Sequence, residues 1–169
     1  NNQLAKFGQT MKGIGIAALG TAGLSSFTGA ISDMAQAAAD DQVSLVRLQT
    51  ALDNLNLGGS TSKVEAFIAG LESTYGVVDD KLRPAFQRLV TSTGDVQLSQ
   101  EALTTALNIS LATGRDLGQV TASLAKAADG NSSAIVRLGI GYSAAELKGK
   151  SFSQVLGLVN DKFGGQAQA

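Results

Sequence analysis

The chain has no cysteine and no histidine. Without Cys there is no disulfide, no thiolate nucleophile and no zinc–sulfur site. Without His the commonest general base and metal ligand is missing. Catalysis would have to rest on Asp, Glu, Lys, Arg, Ser, Thr or Tyr. No arrangement of these reads as a catalytic, cofactor-binding or metal-binding set. Missing Cys does not fix the compartment, since it suits reducing and oxidising surroundings alike. Proline occurs once, and aromatic residues make up only 5% of the 169. Apolar bulk therefore comes from Leu, Val and Ile with much Ala between them. That mixture suits helix-on-helix packing better than a β-sandwich. A net charge of −1 leaves no electrostatic case for nucleic acid as the main partner.

Charge is also missing from Gly13 to Ser32, a run between Lys12 and Asp33. As a helix the run would rise ~30 Å, the thickness of a bilayer core. Glycines at 13, 15, 20, 23 and 29 dilute its Ile14, Ile16, Leu19, Leu24, Phe27 and Ile31. Gly20, Gly23, Ser25, Gly29 and Ala30 place small residues along one side, which permits close helix approach in a membrane. The competing reading is a plain Ala/Gly-rich helix.

What the chain does contain is helical punctuation. Leu24, Phe27, Ile31, Met34, Ala38, Asp41, Leu45, Leu48, Leu52 and Leu55 recur at spacings of three and four. This is an a/d register with Asp41 as its polar break. It fits an amphipathic helix packing on its own domain, or a long helix that associates with copies of itself. In the second case Leu24, Phe27, Ile31, Met34, Leu45, Leu48, Leu52 and Leu55 form the self-association stripe. Leu57-Gly58-Gly59-Ser60-Thr61 ends the helix and divides residues 1–57 from a multi-helix bundle over 60–169.

In the bundle, start and stop signals recur. Ser62-x-x-Glu65 predicts a capping box, with Gly76 closing the helix. Asp79 and Asp80 open the next, with Pro84 in or just beyond its first turn and Gly94 at its end. Ser99 is expected to cap a helix ending at Gly114. Asp116-x-x-Gln119 starts another, stopped by Gly130. Asn131 or Ser132 starts a short turn. Ser143-x-x-Glu146 and Ser151-x-x-Gln154 predict two further boxes, the last helix ending near Gly164. Ile135 to Tyr142 is the one apolar run that also reads as a strand. The expected fold is all-α: a long N-terminal helix, with coiled-coil potential, followed by a bundle of short capped helices.

Some segments imitate chemistry. Ala144 to Ser151 ends in Gly149-Lys150-Ser151 and fits a degenerate phosphate loop with Ala in place of the first Gly. Such a loop needs flexible glycine backbone to wrap its N–H groups around phosphates. Here one glycine is present, and Ser143 with Glu146 would start a helix inside the loop. Gly13-x-Gly15-x-x-Ala18 echoes a dinucleotide turn but lacks a strand before it and a βαβ frame. The pairs Asp40/Asp41 and Asp79/Asp80 diverge around a helix, so neither pair makes an acid–base couple or a metal cage. Asp79/Asp80 read as a helix start, and Asp40/Asp41 as solvated surface.

Four stretches carry a family resemblance: Ala85 to Asp95, Ala106 to Leu117, Leu138 to Phe152, and Phe163-Gly164-Gly165-Gln166-Ala167. In this order they resemble a tail tape-measure protein of long-tailed bacteriophages, over roughly residues 40–169. The apolar segment before residue 40 is similar in character to the hydrophobic region such proteins carry. The resemblance implies a very long helical protein inside the tail tube that sets tail length. It also implies parallel copies in threes or sixes, with the trimer favoured, contacts with tail-tube and tail-tip or baseplate-hub proteins, and release ahead of the DNA. It implies host cytoplasm during assembly, then the virion tail lumen near the tip, and the host envelope at ejection. It implies no catalytic residue in this part. The chain is expected to be a piece of a longer one, since it opens on Asn1 and runs past a helix end at its C-terminus. A channel-forming segment for DNA delivery and a nucleotide-binding domain are the alternative functions.

Overall fold

The computed structural model describes residue 36 and residues 40–164. The chain divides into two units, Asn1–Asp40 and Asp41–Ala169, and the second holds nearly all the described residues. Gly13 to Ser32, the Gly13–Ala18 turn, Leu24, Phe27, Ile31, Met34 and Ala38 all lie outside the described residues.

Among the described residues every regular element is helical. Helix α1 covers 40–54. A single 3₁₀ turn, Gly58–Ser60, leads into α2, Thr61–Tyr75. Then follow α3 (Asp79–Thr93), α4 (Val96–Thr113), α5 (Leu117–Ala128), α6 (Ser133–Arg137), α7 (Ala144–Leu147) and α8 (Phe152–Phe163). The bundle is built on α3, which packs mainly on α5 and α4; α8 lies along α4, and α2 on α3.

The reason is the apolar face of each helix. On α3, Leu82, Ala85, Phe86, Leu89 and Val90 are buried at helical spacing. Leu103, Ala106, Leu107 and Ile109 of α4 and Val120 and Leu124 of α5 meet them in one core. Phe86 is fully buried, with Phe67 of α2 at 6.4 Å between ring centroids in a tilted arrangement. Leu48 and Leu52 of α1 belong to the same core.

The glycine stops at Gly76, Gly94 and Gly114 all hold left-handed φ of 64–68°, as expected of C-caps. Gly130 closes α5 as its Asn131 N–H reaches the Lys126 carbonyl at 2.8 Å and its own N–H reaches Ala127 at 3.0 Å. Both Ser143–Glu146 and Ser151–Gln154 form complete capping boxes. Ile135 to Tyr142 is not a strand: it ends α6 and then turns through Gly139 and Gly141, both at positive φ.

Three expected signals are corrected. The Ser62–Glu65 box does not form, because the helix starts two residues earlier, with Ser60 at the N-cap position after the 3₁₀ turn, and Glu65 turns to Arg83. Ser99 is not a cap; Asp95 is, accepting from the Leu98 N–H at 2.6 Å, while Ser99 is buried in the first turn. Helix α1 stops on Asn56, before the expected Leu57–Thr61 segment: Asn56 takes φ 60°, and the Leu57 N–H reaches back to Leu52 at 2.7 Å. Pro84, as expected, lies just beyond the first turn of α3, as its sixth residue, where it deprives the exposed Asp80 carbonyl of its helical donor.

Candidate functional site

The densest polar cluster in the described residues surrounds one arginine. Arg83 lies on the inner side of α3 between Leu82 and Phe86, and its side chain is only 8% exposed. A guanidinium placed there must be paired, since an isolated buried charge is costly. Three helices supply the partners. Glu65 of α2 accepts from Nε at 3.2 Å and from the Nη2 group at 3.1 Å, a two-pronged contact that fits the planar fork. Asp79 stands one turn before Arg83 on α3 and meets Nη1 at 2.9 Å. Asp41 of α1 accepts from the same Nη1, as does the Ser44 hydroxyl at 3.2 Å.

Burial by itself would push the Arg83 guanidinium down. Hydrogen bonds to Glu65 and Asp41, and the nearby charges of Glu65 and Asp79, outweigh that and raise its pKa. The charge is therefore permanent. Arg83 cannot act as a proton donor, and its carboxylate neighbours are occupied as acceptors. Three carboxylates, Asp41, Glu65 and Asp79, thus pair with one guanidinium, and carboxylate oxygens of Asp41, Asp79 and Asp80 lie within 4.8 Å of one another. The arrangement can hold helices together by charge, with Arg83 Nη1 paired to both Asp41 and Asp79.

Asp41 is thus no plain solvated surface residue. Its side chain is half-exposed and tied to Arg83, which corrects the reading of Asp40/Asp41. Asp79 opens α3 as expected, its carboxylate accepting from the Asp80 N–H at 2.9 Å as well as pairing with Arg83. Only Asp79, four positions before Arg83, is a partner within helical spacing; Glu65 and Asp41 lie 18 and 42 positions away. A charge inside the apolar Leu82/Phe86 face was the other available hint.

Of the proposed self-association stripe, Leu48 and Leu52 are fully buried in the chain's own core, Leu55 packs against it, and Leu45 is half-buried. The phosphate-loop imitation folds as helix over Ala144–Leu147. The N–H groups of Glu146 and Gln154 are taken by the Ser143 and Ser151 hydroxyls, and Lys150 is exposed. Clefts among the described residues are open; one of 360 Å³ runs along α1 and α3, past Val46, Thr50, Leu55, Gln87 and Thr91. No helix of the described residues is long and apolar enough to cross a membrane. No family model, no curated protein and no solved structure matches the chain.

Proposed function

We propose that this chain is a structural segment of a phage tail tape-measure protein, which sets tail length, scaffolds the tail tube and leaves the virion ahead of the DNA. One observation carries the reading: the ordered run of segments at 85–95, 106–117, 138–152 and 163–167 that resemble such proteins. The all-helical architecture is compatible with it. So is the position of three of those segments, which fall on helix boundaries: the Gly94–Asp95 and Gly114–Asp116 turns and the Ser143 and Ser151 boxes. In this reading copies associate in parallel, as trimers or hexamers, through Leu24, Phe27, Ile31 and Met34 of the stripe, since Leu48 and Leu52 are spent on the chain's own core. The partners are tail-tube and tail-tip proteins.

Peptide mass spectrometry of purified virions, before and after ejection is triggered, tests the proposal. Peptides from 60–164 should be abundant in intact tails and depleted from emptied ones. Their absence from intact tails would sink it. The uncharged run Gly13–Ser32 favours a second stage, in which the N-terminal segment enters the host envelope as part of a DNA-delivery channel. A dye-release assay on liposomes with the full chain checks that stage; no release at any protein concentration rejects it.

A further inference from the structure

The two halves of α1 are held to the bundle by different forces. The C-terminal half is anchored by apolar burial, with Leu48 and Leu52 fully enclosed. The N-terminal half has no such anchor: Val43 is 46% and Val46 59% exposed, and Leu45 is only half-buried. That half is fixed by Asp41 and Ser44, which both meet Arg83, while the Ser44 hydroxyl also donates to the Asp41 carbonyl at 2.9 Å.

The network is uneven in a way that matters. Arg83 keeps Glu65 and Asp79 if Asp41 leaves, so the buried guanidinium stays paired. Asp41 is the most exposed of the three carboxylates and can be solvated when released. Asp41 is also crowded by the like-charged oxygens of Asp79 and Asp80, within 4.8 Å. One charge holds it and two repel it.

We propose that Arg83 and Asp41 form a releasable latch: residues 40–47 lift off the bundle as a unit, while α2 to α8 and the Leu48–Leu52 anchor stay folded. The latch lies where the chain enters the bundle, so its state governs whether α1 is docked over its full length or only from Leu48 onward. Local opening of this kind needs few buried apolar contacts, and this half of α1 has few.

Amide hydrogen exchange on the full chain tests the latch with two variants that act in opposite directions. In Asp41→Asn the attraction is lost, and amides of 42–47 should exchange about tenfold faster or more, as expected for a charge-assisted hydrogen bond. Amides of α3 to α5 should change by less than about twofold, as for an opening that leaves the bundle folded. In Asp80→Asn a repulsion is lost, and 42–47 should exchange more slowly. Unchanged exchange at 42–47 in either variant overturns the latch, as does acceleration spread evenly over all helices. Faster exchange of 42–47 in Asp80→Asn overturns it too.

Discussion

Glu146 turns back on its own helix start, its carboxylate accepting from the Ser143 N–H and hydroxyl, each at 2.7 Å. The side-chain contact first, then the backbone contact, with Lys162 nearby, lowers its pKa below the ordinary 4.5. A depressed carboxylate pKa stabilises the fold above the ordinary value, and the contribution fades as pH falls through the folded value. The acid loss at this box therefore lies below pH 4.5. An NMR titration should place the Glu146 midpoint below that value, and Ser143→Ala should move it up; an unmoved midpoint contradicts the assignment. The left-handed Asn56 gives a second residue-level expectation. Asn56→Gly should leave the melting temperature the same or higher, whereas Asn56→Val should cost ~1–2 kcal/mol in denaturant unfolding. The Ser143 and Ser151 boxes were readable because both partners sit three positions apart. Asn56 was hidden by the more conspicuous Gly58-Gly59 beside it, and Asp95 by Ser99.

At the scale of elements, α3 is the organising helix and Arg83 its one buried charge. Replacing Arg83 by Met strands Glu65 and Asp79 against an apolar side chain. Chemical denaturation should show a loss of roughly 3–5 kcal/mol. Adding Glu65→Gln and Asp79→Asn to that variant should recover much of the loss, since the stranded charges are its main cause. Failure to recover would mean that the methylene packing of Arg83, not its charge, holds α3. Beyond the i,i+4 pair of Asp79 and Arg83, none of this could be read beforehand. Helix faces follow from local spacing, whereas an ion network joining α1, α2 and α3 exists only once the chain has folded. The apolar faces of α3, α4, α5 and α8 were legible for the same reason: Leu82, Phe86 and Leu89, or Val155, Leu156 and Val159, announce themselves within a few residues.

For the molecule as a whole, Leu48 and Leu52 tie α1 into the core, so the second unit is expected to unfold as one. Leu48→Ala should lower its stability by about 2–5 kcal/mol in a single transition. A separate early transition for α1 would show that it is not integrated. Self-association through Leu24, Phe27, Ile31 and Met34 has its own readout: sedimentation of the full chain should give a trimer or hexamer mass, and a monomer at all concentrations would remove self-association from the proposal. A final consequence follows from the link between α7 and α8. Lys148 and Lys150 flank Gly149, all three are exposed, Lys148 is extended and Gly149 is left-handed. Two basic residues separated by one glycine on open backbone make this the natural cut for trypsin among the described residues. The severed α8 would still hold Val155, Leu156 and Val159 in the core, so the nicked protein should elute as one species and separate into two pieces only on denaturation.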